Sequence, residues 1–306
     1  MIEGLPDVCG HEKTTLYIIG NGFDLAHGIL SKYKHFYCWL NLNGHEEYAN
    51  SLQKMFPELD KRTDFLWSNF EKALETYDLH DIYKQYVPFP DKNCSEEWNK
   101  IIQSGAKEVE KIIESIPLRI KEWAEDINTN LKPVFTGLSN NSRYLSFNYT
   151  LTLENIYRID PSNICYIHEK IKSKSKLIVG HNLQISTENL PAKSDEEERA
   201  QAMFVGILNR LAKPKGQQIE RHRAFFNSLN NIDRIIVIGH SMARVDLGYF
   251  GEVKRSVKEN AKWYFSTYTP DDIQKAMVFI KPAKLQANFI KDYDFFDLSN
   301  IRIPNK

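Results

Sequence analysis

Short apolar runs along this chain end repeatedly in glycine or small polar residues, and the clearest such junction lies near its start. Leu16, Tyr17, Ile18 and Ile19 form an apolar run of the length a buried strand needs. Gly20, Asn21 and Gly22 follow, and Asp24 then opens a segment with helical spacing. Glycine and asparagine tolerate backbone conformations closed to other residues and let a main chain approach a ligand closely. A strand, a glycine turn and a helix aim backbone N–H groups at one spot, which suits a phosphate. The same junction serves plain tight packing in many α/β proteins. The dinucleotide fingerprint wants a third glycine three residues after the second, and Leu25 stands there. No Gly-x4-Gly-Lys-Ser/Thr occurs in the chain, which excludes a P-loop.

Helical periodicity takes over beyond Gly28. Tyr33, Phe36, Tyr37 and Leu40 share one face, as do Phe65, Phe70, Leu74 and Tyr77. Trp98, Ile101, Ile102, Val109, Ile112, Ile113 and Ile116 continue the pattern, and Ile120, Trp123 and Ile127 resume it after Pro117. Proline lacks the backbone donor, so the spacing predicts a kink or an end there. We read residues 31–135 as a helical insertion within a single α/β domain spanning 1–306, because a crossover between parallel strands needs only a dozen or so residues.

Strand character returns over Arg143 to Tyr149, which contains Asn148, and a helix begins around Leu151 and Leu153. Ile164 to Ile167 predicts a strand running into His168 and Glu169, and Leu177 to Val179 a further one ending at Gly180. Four acidic residues from Asp195 favour a helix N-terminus through the macrodipole. Helices are predicted near Gln218–Leu229 and Val245–Val257, with strands at Arg234–Ile238 and Trp263–Tyr268. Thr269-Pro270-Asp271-Asp272 is a good helix start. The alternation of strands and helices gives an α/β class, an open and mostly parallel sheet with flanking helices of Rossmann-like type.

Composition narrows the partners. Lys plus Arg number 40 and Asp plus Glu number 40, so nothing global pulls the chain toward nucleic acid or an anionic membrane. The apolar runs are too short to span a bilayer, and the first residues carry neither a basic nor an apolar signal region. Cys9, Cys38, Cys94 and Cys165 are scattered without a C-x-x-C, the usage of a reduced, cytoplasmic protein.

Candidate chemistry gathers at strand ends: Asn21 and Asp24, Asn148, His168, and His240, Ser241 and Asp246. In open parallel sheets ligands bind at the carboxyl ends of strands near a topological switch point, so these scattered residues are expected to converge. Gly239-His240-Ser241-Met242-Ala243 resembles a hydrolase nucleophile elbow. Such enzymes place their histidine after the acidic member, and the last of the nine histidines here is His240. A metal group drawn from Asp24, His168, Glu169, His181 and His240 lacks any short-spacing ligand signature, and no metal is expected.

The strings GNGFDLAHGIL, FNYTLTLE, YIH and IGHSMARVDLGYF, in that order, resemble the abortive-infection AbiH family of bacterial anti-phage proteins. The resemblance runs in patches from Leu16 to Phe250. These motifs are more distantly similar to the sirtuin-like NAD-binding domains. That likeness implies a sirtuin-like fold, with Gly20, Asn21, Gly22 and Asp24 at a phosphate turn and Gly239, Ser241 and Asp246 on adenosine. It implies Asn148 and His168 as the catalytic pair and NAD as substrate or ligand. Thr150 stands where the related group often has Asp, Glu169 where Gly is usual, and Asp24 where a small hydroxyl residue is common. A carboxylate beside a pyrophosphate is repulsive, so Asp24 is alternatively a helix cap. The implied function is cleavage of NAD or a related nucleotide at its N-glycosidic bond in phage defence. The implied partners are a phage-derived trigger or partner defence protein and further copies of the chain. A non-catalytic module that binds a nucleotide or senses phage through assembly is the other reading. It keeps the glycine turn and needs no Asn148–His168 pair.

Overall fold

A computed structural model describes residues 14–56, 70–75, 77–87, 95–186 and 194–291. Phe65, Cys9 and Cys94 lie outside these residues. The chain divides into two compact units, each made of separate stretches.

The first unit takes its residues from Met1–Ile29, Asn128–Lys170 and Lys215–Lys306. Its centre is a six-stranded sheet of β1 (Thr15–Ile19), β2 (Arg143–Ser146), β3 (Ile164–Tyr166), β4 (Arg234–Ile238), β5 (Lys262–Thr267) and β6 (Ala287–Lys291). The spatial order is β3-β2-β1-β4-β5-β6, and every pairing is parallel. This is the Rossmann order, with its switch point between β1 and β4. Both faces of β1 to β5 are covered, as parallel sheets require. Leu16, Ile18, Leu145, Ile235, Val237, Trp263 and Phe265 point to one side, where Phe226, Tyr249, Phe250, Val253 and Phe279 pack on them. Tyr17, Ile19, Tyr144, Ile236, Ile238 and Tyr264 point to the other, against Phe23, Phe135, Leu153 and Ile159. The strict alternation along β1 and β4 follows from the two-residue period of a strand.

The short helix Asn21–Ala26 begins directly after β1 with Gly20 as its cap. Helix Thr152–Tyr157 follows β2, and helix Leu247–Ser256 follows the turn after β4. Helix Pro270–Ala283 starts where expected, and a capping box between Thr269 and Asp272 closes its first turn.

The second unit takes its residues from Leu30–Ile127 and Ile171–Pro214. It is helical: Tyr33–Leu42, Glu46–Met55, Phe70–Ala73, Leu79–Tyr86, Ser95–Asp126 and Asp195–Leu208. The helical unit therefore includes a second stretch that the chain pattern left with the sheet. Residues 128–135, counted by the pattern with the helices, belong instead to the sheet unit, where Phe135 stacks on Phe23 at 5.0 Å. Leu177–Val179 is not a strand; its neighbour His181 makes a lone bridge to Ala212. The run is apolar because Leu177 and Val179 are buried, and burial alone does not make a sheet. Pro117 does not end its helix, which continues from Ser95 to Asp126. Val109, Ile113, Ile116 and Ile120 are all buried. That apolar stripe outweighs the roughly 3 kcal/mol an internal proline costs. Among the described residues no helix is long and apolar enough to cross a membrane.

Candidate functional site

The polar residues at the strand ends belong to the sheet unit and form two linked groups beside the β1–β4 switch point. The first is built on glycine. Gly20 N donates to Ile238 O at 2.9 Å, Gly22 N to Gly239 O at 2.7 Å, and Phe23 N to Gly20 O at 3.0 Å. A Cβ on Gly20 would lie 2.5 Å from His240 Cα, and one on Gly22 would lie 2.6 Å from Gly239 Cα. Gly239 has φ +62 and faces Gly22 and Phe23 in return. The close backbone approach expected at this turn is thus made to the β4 turn. Gly22→Val, which would report on phosphate binding only in an intact fold, instead drives a side chain into main chain.

Asp24 sits in the first turn of its helix, nearly solvent-free, and does not cap it; Gly20 holds the cap position. Its Oδ2 accepts the Thr150 hydroxyl at 2.5 Å, and Thr150 Oγ1 lies 3.1 Å from Thr152 Oγ1. Burial raises its pKa to about 6, while hydrogen bonds from Thr150, Thr152 and Asn148 restrain the rise. The departures at positions 24 and 150 therefore meet in space. Together they make a buried carboxylate–hydroxyl pair. Asn148 joins the same group, its amide nitrogen donating to Gly20 O at 3.1 Å.

The second group is built on histidine. His168, after β3, places Nε2 3.5 Å from Asp246 Oδ1. His240, after β4, places Nε2 3.6 Å from Asp246 Oδ2. Asp246 occupies the N-cap position of helix Leu247–Ser256, yet its side chain makes no cap hydrogen bond. Phe147 stands edge-on to both imidazoles, with ring centroids 5.3 Å from His168 and 4.4 Å from His240. Tyr249 and Phe250 complete the aromatic walls. The sequence marked each of these polar residues but not that one carboxylate would face two histidines. The only signal for it was that all three follow strand ends.

Glu169 adopts φ 66, the left-handed region. This explains why glycine suits that position, and here the side chain is held in an ion pair with Arg221. Asn21 and Ser241 are the exposed members of the set. His181, weighed above as a member of a metal group and set aside, belongs to the helical unit. Among the described residues no group of three or more His, Cys, Asp or Glu is arranged to hold a metal ion.

The family model described as "Bacteriophage abortive infection AbiH" matches residues 16–267. The chain belongs to the AbiH family. The match takes in β1 to β5 with every strand-end residue named above, and also the helical unit. No curated protein and no solved structure matches the chain. Membership connects the protein with bacteriophage abortive infection.

Proposed function

We propose that this AbiH protein acts in abortive infection by hydrolysing NAD or a related nucleotide at the N-glycosidic bond, with Asn148 and His168 as the catalytic pair. The observation that carries the reading is the contact of His168 with Asp246 at the switch point of a Rossmann-order sheet. In the proposed reaction, water attacks the anomeric carbon of the ribose and the bond to the nicotinamide nitrogen breaks. Nicotinamide leaves with the electron pair, and His168 takes the proton released by the water. Acid–base help of this kind contributes about a hundredfold to ten-thousandfold. Asn148 turns its NH2 toward Gly20 O, so its Oδ1 is the atom that would accept from a ribose hydroxyl or the attacking water. Exposed Asn21 and Ser241 would face the phosphates and the adenosine, with Gly20, Gly22 and Gly239 shaping the floor. A phage-derived trigger and assembly of several copies would control turnover.

The second reading is a nucleotide-binding sensor without turnover, which uses the same turn. The N–H groups of Gly20, Gly22 and Phe23 are already bonded within the protein, so in both readings a phosphate there would rely on other donors. NAD consumption by the purified protein, and in phage-infected cells, separates the two. Asn148→Ala and His168→Ala should each lower cleavage about a hundredfold or more. The double variant should be barely worse than either alone. A folded double variant that still consumes NAD and protects cells would overturn the catalytic assignment. Binding of NAD without cleavage by the unaltered protein would establish the sensor.

A further inference from the structure

We propose that Asp246 is a positioning carboxylate, held on one side by a neutral His240 so that its other oxygen fixes the tautomer of His168. The functional part of this inference rests on His168 being the acid–base residue; the tautomer assignment does not. His240 Nδ1 accepts the backbone N–H of Met242 at 2.9 Å. A nitrogen that accepts a hydrogen bond carries no hydrogen, so the ring hydrogen of His240 lies on Nε2, the atom facing Asp246 Oδ2. Met242 has φ 54, a left-handed conformation that non-glycine residues rarely adopt and that the surrounding structure has to hold. His240 therefore presents a fixed Nε2–H toward Asp246 Oδ2 3.6 Å away, and Asp246 Oδ1 lies 3.5 Å from His168 Nε2, both electrostatic contacts longer than a good hydrogen bond.

Two further features point the same way. An aspartate at an N-cap normally accepts a backbone N–H and gains about 1 kcal/mol of helix stability. Asp246 makes no such bond, and its carboxylate faces the two imidazoles instead. The rings are also confined: His168 between Phe147 and Tyr249, His240 between Phe147 and Phe250. With little freedom for ring rotation, the hydrogen on His168 is set by which atom Asp246 presents. A carboxylate presents only acceptors, so His168 carries its hydrogen on Nε2, leaving Nδ1 as the nitrogen that takes a proton.

Asp246→Asn gives a sharp test. His240 keeps its Nε2–H because Met242 still bonds Nδ1, so the new amide oxygen must face His240. The amide NH2 then faces His168, whose Nε2 has to accept, and its hydrogen moves to Nδ1. Nitrogen–hydrogen correlation spectra of imidazole-labelled full-length protein should show both histidines as Nε2–H tautomers before the substitution. After it, His168 alone should switch. An unaltered protein with hydrogen on His168 Nδ1 or His240 Nδ1, or an Asp246→Asn variant in which His168 does not switch, overturns the proposal. His240→Asn keeps an acceptor for Met242 but removes the donor to Asp246, whereas His240→Gln keeps a donor. In NAD cleavage, Asp246→Asn and His240→Asn should each lose about a hundredfold or more in kcat, with little change in KM. His240→Gln should recover at least tenfold of the His240→Asn loss; equal losses in the two would overturn the role of His240. Should the unaltered protein not cleave NAD, the cleavage reading fails while the spectra still decide the tautomer.

Discussion

Asp24 shows how one side chain can carry opposite meanings in sequence and in space. By position it sits at a phosphate turn or a helix start; by structure it is a buried carboxylate bonded to Thr150. Its pKa rises from 3.8 to about 6 because burial disfavours the ionised form. The folded state therefore holds the proton more tightly than the unfolded state does. The sign follows from linkage: above about pH 6 the charged group weakens the fold, and the penalty is relieved as pH falls toward 3.8. A shift of this size corresponds to about 3 kcal/mol. Asp24→Asn keeps an acceptor for the Thr150 hydroxyl without the charge. We expect it to melt several degrees higher at neutral pH and to lose the stability gain on acidification between those two pKa values. Denaturant titrations across that range check both; an unchanged profile would mean that Asp24 is solvated. The Asp24–Thr150 pairing was not legible in the sequence, since no local rule links positions that far apart.

The turns after β1 and β4 act as one element although more than two hundred residues separate them. Gly22 N bonds Gly239 O, and each glycine occupies the space a Cβ of the other would need. Gly22→Ala should therefore destabilise the sheet unit by about 1–3 kcal/mol, the range for overpacking a close contact. Gly239→Ala adds the strain of φ +62 to a contact with Phe23 N and should be worse. Chemical denaturation measures both; a Gly22→Ala variant of unaltered stability would show that the two turns part easily. The glycines were legible as a place of close approach, but the partner was not, because it is another turn. In the same way Leu177–Val179 showed burial and not its geometry. Strand β6 passed unmarked because its burial is partial and its pattern weak.

His27, His181 and His222 share one behaviour across both units, since burial holds each pKa below the ordinary 6.5. His27 shows why: it bonds Phe23 O and the Tyr157 hydroxyl, which itself accepts the N–H groups of Val134 and Phe135. That hydroxyl has one hydrogen to give, so His27 Nε2 accepts it and cannot take a proton without breaking the set. These histidines contribute stability that is complete above the unfolded value of 6.5 and is lost as pH falls below it. Melting temperature should drop through that window, and His27→Gln should lessen the drop; a variant with an undiminished drop would remove His27 from the cause.

The sequence by itself determined the strand–glycine–helix opening, the α/β class, the resemblance to AbiH and the placing of polar residues after strands. These are local properties, written in spacing and residue type. The tertiary structure alone decided that residues 171–214 join the helical unit, that Gly22 packs on Gly239, and that Asp246 faces both His168 and His240. Each of those facts depends on which distant segments the parallel sheet sets side by side. The order β3-β2-β1-β4 brings the ends of β1 and β4 together, and no pattern of neighbouring residues encodes that adjacency.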